Sequence, residues 1–362
     1  MRVLFVIILF LHLVIHFIGF ANAMEWLEIV PSSQIISKPQ GSLWLLVSIL
    51  LVATIILFIL EKPGWNLLAI PVILISQVLI IFNWEEAKYG SIINLIILLV
   101  IIFSVAGWKF ENTYKKDKVK AILSNFYSPG ITSAKDIAHL PESVQRYIKY
   151  TGFIGKPKIE NVQIKSSGLM RERDQKWFRF KSEQLNTIQK PARYFFIKAI
   201  FKGIPTRGYH KYEGKAARML IKPLSLFNII DIRSDELLIS EMVTYLNDIC
   251  LFAPGALISE KFSWENMDAL GAKVSYSHSG KTVSAILEFN ENAQLINFFS
   301  NDRYSVDRMK KFLFSAPVGG YKSYSGYHLP GYGEAIWHYP KEDFVYGKFE
   351  LKQVKYNITN NN

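Results

Sequence analysis

The chain opens with four apolar runs and closes with alternating strands. Residues 3–20, 41–60, 65–82 and 91–108 are each about 18–20 residues long and contain no Asp, Glu, Lys or Arg. At 1.5 Å per residue that length matches a hydrocarbon core of about 30 Å. A backbone in lipid must satisfy its own hydrogen bonds, so the runs predict four membrane-spanning helices. Five of the eight tryptophans (Trp26, Trp44, Trp65, Trp84, Trp108) flank the run ends, as an interfacial aromatic belt does. The competing reading, core helices of a soluble domain, requires four consecutive charge-free cores of spanning length.

Past residue 110 the pattern changes. Residues 109–125 read as a helical continuation of the last run, broken at Ser128-Pro129-Gly130. A short helix starts at Pro141 and ends at Gly152, with Val144, Tyr147, Ile148 and Thr151 as its inward stripe. Beyond Gly155 the period becomes two. Val274 and Tyr276 alternate with polar neighbours, as do Val283, Ala285, Leu287 and Phe289. Glu213-Gly214, Ser279-Gly280, Asn290-Glu291-Asn292 and Ser325-Gly326 read as hairpin turns between about ten antiparallel strands over 158–356. Residues 194–201 are apolar on both faces, which predicts a central or covered strand. One helix, about 234–250, interrupts the strands. Asp235 and Glu236 open it, and Leu238, Met242, Tyr245 and Ile249 form its stripe.

The predicted fold is therefore a four-span α-helical membrane bundle (1–110), a basic helical connector (111–155) and an α+β domain (156–362). That domain is a curved antiparallel sheet or half-barrel whose concave side is closed by the inserted helix. Such a shape can hold a cavity.

Charge sharpens the division. The chain has 42 Lys and Arg against 30 Asp and Glu, and only ten of these lie in residues 1–110, five of each sign. The net charge of +12 therefore belongs to residues 111–362. Lysine and arginine near the spans place seven (Arg2, Lys62, Lys109, Lys115, Lys116, Lys118, Lys120) on one side and two (Lys38, Lys88) on the other. By the positive-inside rule both termini are cytoplasmic in an inner membrane. A signal-peptide reading of the first run, with Ala21-Asn22-Ala23 as cleavage site, still leaves the C-terminal domain inside. A basic domain on that side faces the anionic inner leaflet, which attracts lysine and arginine at about 1 kcal/mol each near the surface. No zinc-finger, helix-turn-helix or RNP-like pattern points to nucleic acid.

The polar residues available for chemistry are few. His12 and His16 lie four apart on one helical face. With Glu86 from the loop they are candidate metal ligands or a proton relay, against a plain reading as interhelical hydrogen-bonding groups. Gln77 and Ser76 read as interhelical hydrogen-bonding residues. In the β domain, Asp231, Glu241, Asp248, Arg303, Glu334 and His338 form the candidate polar constellation. Arg303 and Glu334 are expected to meet across adjacent strands, either as an acid–base site or as a structural ion pair. Cys250 is the lone cysteine and reads as a buried thiol. No nucleotide, flavin or metal fingerprint is present, so no cofactor is expected.

Four stretches carry a resemblance: Leu140-Pro141-Glu142-Ser143-Val144-Gln145-Arg146-Tyr147-Ile148, Asn247-Asp248-Ile249-Cys250-Leu251-Phe252-Ala253-Pro254, Asp302-Arg303-Tyr304 and Gly333-Glu334-Ala335-Ile336-Trp337-His338. Together they resemble a bacterial family known only as a domain of unknown function. The front part, through the His12–Phe20 stretch, Ser37-Lys38-Pro39 and Glu86-Ala87-Lys88-Tyr89-Gly90, resembles its membrane-anchored Bacteroidetes-type members. The sheet pattern is similar to LolA-like half-barrels, by analogy of fold, and fold does not fix function. The resemblance implies no established activity. The expectation is a membrane protein whose β domain binds an apolar or lipid-like ligand at the inner leaflet. The alternative is a structural or signalling protein whose β domain docks a protein partner.

Overall fold

The structure, a computed structural model, describes residues 2–26, 36–124, 130–306 and 308–359. The break expected at Ser128-Pro129 lies outside them. The chain divides into two units, Met1–Lys109 and Phe110–Asn362.

The first unit consists of α1 (Arg2–Ala23), α2 (Lys38–Ile59), α3 (Trp65–Phe82), the single turn α4 (Trp84–Ala87) and the first part of α5 (Gly90–Ser124). Ser37 starts α2 with a capping box: its hydroxyl accepts from the Gln40 backbone, and the Gln40 side chain accepts from the Ser37 backbone. Leu9, Val47, Leu51, Ala69, Val72 and Ile97 are completely buried between the helices. The outward positions are just as apolar: Phe10, Ile49, Leu74, Ile81 and Leu95 are all exposed. A helix that is hydrophobic all round is either buried in protein or spans a membrane. Four of these helices are long and apolar enough to cross a membrane.

The second unit is built on an antiparallel sheet. Its first strands are β1 (Asn161–Met170), β2 (Phe178–Thr187), β3 (Ala192–Phe201), β4 (Ile204–Glu213), β5 (Ala216–Pro223) and β6 (Ile230–Ile232). They follow α6 (Glu142–Thr151). Next come α7 (Asp235–Phe252), a 3-10 turn (Pro254–Ile258), β7 (Phe262–Asp268), β8 (Gly271–His278), β9 (Lys281–Phe289) and β10 (Leu295–Ser300). Short strands follow: β11 (Tyr304–Ser305), β12 (Lys310–Lys311), β13 (Leu313–Ser315), β14 (Val318–Gly319), β15 (Lys322–Tyr324) and β16 (Tyr327–Leu329). The long hairpin β17 (Tyr332–Tyr339) and β18 (Glu342–Tyr356) completes the domain. Fourteen strands join one open sheet in the order β6-β5-β4-β3-β2-β1-β18-β17-β13-β10-β9-β8-β7, with β14 on β17. β1 pairs with β18, so the two ends of the domain's sequence meet in the middle of the sheet.

The turns obey their chemistry. Ser279 and Gly280 both have positive φ, as do Lys202 and Gly203 and Ser325 and Gly326, the geometry that right-twisted hairpins require. α6 ends on Gly152, at φ +79, and buries Val144, Tyr147, Ile148 and Thr151.

Alternation decides what each sheet face meets. On one face, Leu185, Ala192, Tyr194, Phe196, Tyr209 and Leu220 pack with Phe110, Tyr114 and Ala121 of α5. On the other, α7 lies against the sheet and buries Leu238, Met242, Tyr245 and Ile249 together with most of its other side chains. Strand β3 is thus covered on both sides over its first five residues, Ala192 to Phe196, whereas Lys198 and Ile200 in its second half are exposed. The concave side is packed rather than hollow: Tyr212, Tyr245 and Tyr276 interlock there, with Tyr212 and Tyr276 hydroxyls 2.9 Å apart.

Gly168 in β1 has no room for a side chain, because an added Cβ would lie 1.9 Å from the Lys348 carbonyl oxygen of β18. Gly168→Ala is expected to cost about 1–3 kcal/mol by forcing the central strands apart. The midpoint of denaturant unfolding, followed by tryptophan fluorescence of the detergent-solubilised protein, measures this.

Candidate functional site

The densest polar site lies between α7 and strands β2–β4. Glu241 and Asp248 are seven residues apart on α7, two turns along one face. Both point at Arg193 of β3. Arg193 Nε donates to Asp248 Oδ2 at 2.7 Å, and Arg193 NH1 donates to Glu241 Oε2 at 3.0 Å. Gln184 and Asn186, neighbours of Arg193 on β2, donate to the same Asp248 oxygen at 2.6 and 3.3 Å. His210 of β4 meets Glu241 Oε1 through Nδ1 at 3.0 Å. Arg193, Glu241 and Asp248 are each less than a tenth exposed. The guanidinium also lies over the Phe195 ring, 4.7 Å from its centre. Burial pushes the Glu241 carboxyl up, but Arg193 and then His210 outweigh it and hold the group at about 2. Both Glu241 oxygens and Asp248 Oδ2 are engaged by protein. The network fastens helix to sheet.

Sequence reasoning found Glu241 and Asp248 but missed Arg193, Gln184, Asn186 and His210. The signal was present: an arginine at the head of a strand apolar on both faces must be buried, and two carboxylates seven apart on a helix are what it needs.

The other members of the expected constellation are scattered. Arg303 and Glu334 do not meet. Arg303 donates to the Tyr346 hydroxyl at 2.8 Å and stacks on Phe314, 4.2 Å from its centre, and on Trp337. Glu334 accepts from the Tyr332 hydroxyl at 2.6 Å and lies 3.5 Å from Lys348. The reason is register: Glu334 stands opposite Lys348 in the β17–β18 ladder, whereas Arg303 follows β10 and turns into an aromatic box. His338 joins Ser315 at 2.8 Å and Asp343 at 2.7 Å. Asp231 takes a bidentate contact from Arg218, both bonds 2.7 Å, on the short strand β6. Cys250 is completely buried, and burial pushes its thiol up.

In the helical unit, His12 and His16 belong to one buried cluster. His12 Nε2 lies 3.1 Å from Asn94 Oδ1, and His16 Nε2 lies 2.9 Å from Ser76 Oγ. The two Nε2 atoms are 3.3 Å apart. Asn94 Nδ2 donates to Ser76 and to Gln77, and Gln77 donates to Ser91 at 3.0 Å. The cluster ties α1, α3 and α5 together. Glu86 does not join it: among the described residues no three His, Cys, Asp or Glu side chains gather as a metal site.

An open concavity lies elsewhere, on the face of α5 turned away from the sheet. Phe110, Tyr114, Asp117 and Lys118 hold the inner face: Lys118 pairs with Glu183 at 2.7 Å, and Asp117 accepts from the Tyr209 hydroxyl at 2.8 Å. Asn112, Lys115, Lys116, Val119, Lys120, Leu123 and Ser124 form the outer face, along which runs an open groove of about 590 Å³. By contrast, a crevice between the first turn of α7 and Ser305 has about 10 Å³, room for one water.

What fold and site define is a class: a bundle of apolar helices followed by an open antiparallel sheet that wraps one helix around a buried arginine. The chain belongs to DUF6544, a family of unknown function, whose sequence profile matches residues 130–349. The stretches 140–148, 247–254, 302–304 and 333–338, which carried the resemblance, all fall inside that match. No curated protein matches the chain. Among solved structures, the LolA superfamily protein NE2245 from Nitrosomonas europaea is similar, with a TM-score of 0.34 and 10% identity over 59% of this chain and 93% of that one. No activity is carried over from it.

Removing Arg193 takes from two buried carboxylates the guanidinium they share. Arg193→Ala is expected to lower stability by about 3–5 kcal/mol, measurable by thermal unfolding. Glu241 also sets a pH dependence. Its folded value of about 2 lies below its ordinary 4.5, so its contribution is complete above pH 4.5 and drains away as pH falls toward 2. Melting temperatures between pH 7 and pH 3 should fall in the native protein, and less so in Glu241→Gln. In the helical unit, His16→Ala is expected to cost about 1 kcal/mol through its lost interhelical bond, read as a lower melting temperature in detergent.

Proposed function

We propose that this protein is a multi-pass inner-membrane protein, with its N-terminus and β domain in the cytoplasm, that binds anionic lipid-like amphiphiles at the inner leaflet through the outer face of α5. The observation that carries this is the groove. Lys115, Lys116 and Lys120 surround the exposed apolar side chains of Val119 and Leu123. A lipid has the same two parts, a negative head and an apolar stem, and lysine stems lie along apolar surface while their ammonium groups reach for charge. Lys115 also lies 3.2 Å from Glu111, but an exposed pair of this kind holds its lysine with at most about 1 kcal/mol. The packed concave side of the sheet supports the choice of this outer groove.

The packing of that side also favours a second reading, in which the β domain docks a protein partner. One experiment separates the two. In nanodiscs, an anionic lipid should protect Lys115, Lys116 and Lys120 from acetylation relative to a zwitterionic lipid. Lys115→Glu, Lys116→Glu and Lys120→Glu together should strip anionic lipid from the purified protein in native mass spectrometry. Equal acetylation in both lipids, with no loss of bound lipid in the variant, would overturn the lipid reading.

A further inference from the structure

The tight turn between β3 and β4 and the loop between β5 and β6 form one exposed apolar tip. Ile200 and Ile204 are 58% and 45% exposed, and Phe227 and Ile229 are 61% and 59% exposed. Elsewhere on the sheet Met267, Ile286, Ile296 and Tyr332 are also exposed, at 36–50%, but the tip gathers four such side chains on two adjoining loops. The tip is built, not frayed. Lys202 and Gly203 make the turn with positive φ, and the β5–β6 loop is reversed by Leu224 and Ser225, both also at positive φ. A bulky leucine in that region is strained, and strain persists where surrounding structure fixes it. Here the Leu224 amide donates to the Pro205 carbonyl at 2.7 Å, and Arg207 NH1 donates to the Ser225 hydroxyl at 2.8 Å. The two loops therefore hold each other, and their apolar side chains face outward together.

The direction of the tip follows from contacts with α5. Along that helix, Lys118 pairs with Glu183, Asp117 with Lys211, and Tyr114 stacks on Phe196. Glu111 pairs with Lys198 at 2.6 Å, and Lys222 lies over Phe110, 5.2 Å from its centre. Moving from Lys118 back to Phe110 along α5 is thus moving toward the tip, which begins just past Lys198 and Lys222. Ahead of Phe110 the helix turns from charged to apolar at Trp108 and Lys109.

We infer that this tip is a membrane-inserting element: Ile200, Phe201, Ile204, Phe227 and Ile229 dip into the headgroup and acyl boundary of the leaflet into which α5 runs. The inference rests on α5 entering a bilayer. Lys202 reinforces it, for it lies over the Phe201 ring and can reach phosphate while the ring is buried. Apolar residues held by such elements enter about 5–10 Å, well short of the bilayer centre.

The test uses the full chain in nanodiscs with a solvent-sensitive fluorophore on single introduced cysteines; native Cys250 is fully buried and does not compete. Labels at Ile204→Cys and Phe227→Cys should show blue-shifted emission, quenched more by a nitroxide near the headgroup than by one near the acyl terminus. A label at Leu270→Cys, next to the edge strand β7, should emit as in water. A label at Leu98→Cys within α5 reports the span itself and should be quenched from the acyl terminus. Unquenched tip labels beside a quenched Leu98→Cys label would overturn the tip and leave the span intact. Quenching at Leu270→Cys equal to that at the tip would overturn it as well. Loss of quenching at Leu98→Cys would remove the membrane reading on which it rests.

Discussion

Arg193 is a guanidinium with no water to solvate it, and the closure of the β domain follows from that. A cation taken out of water is tolerable only if opposite charge reaches it in good geometry. The sheet provides the cation on β3, and α7 provides Glu241 and Asp248 two turns apart. Only one axial position and one rotation of α7 bring both acids within bonding distance. The aromatic layer around Tyr212, Tyr245 and Tyr276 supplies the hydrophobic drive, while the ion network selects the register in which that layer forms.

The same strand shows how a sheet can be claimed from two sides. Even positions of β3 face α5 and odd positions face α7, so a single ten-residue segment joins both helical layers. The outer layer is secured by surface-type pairs such as Lys198 with Glu111, and the inner one by desolvated charge. Different strengths of attachment on the two faces follow from burial alone: the outer pairs share their charge with solvent, and the inner ones cannot.

Much of this was legible in the sequence because it is local. The four charge-free runs, the α7 stripe from Leu238 to Ile249, the glycine turns and the double-sided apolar segment at 194–201 each depend on neighbours within a few residues. The partners of Arg303 and Glu334 were not legible. Which strands lie side by side is decided by pairings such as β1 with β18, nearly two hundred residues apart, and a polar residue's partner depends on that ladder. Whether the concave side is hollow or packed was not legible, for a related reason. Periodicity shows that α7 has a buried face, but the volume left beneath it depends on the tyrosines that two distant strands, β4 and β8, send there.

The sheet never closes on itself, so it ends in two different borders. One is β6, only three residues long; the other is β7, whose neighbourhood carries Glu260, Lys261, Glu265 and Asp268. Bare strand borders invite neighbouring molecules to add on, and brevity and charge both discourage it. In the proposed membrane placement, neighbours confined to the plane of a bilayer would meet repeatedly in nearly the same orientation, the circumstance in which an unguarded border would seed a growing ribbon of copies. A stubby border and a charged one let the protein crowd without zipping together.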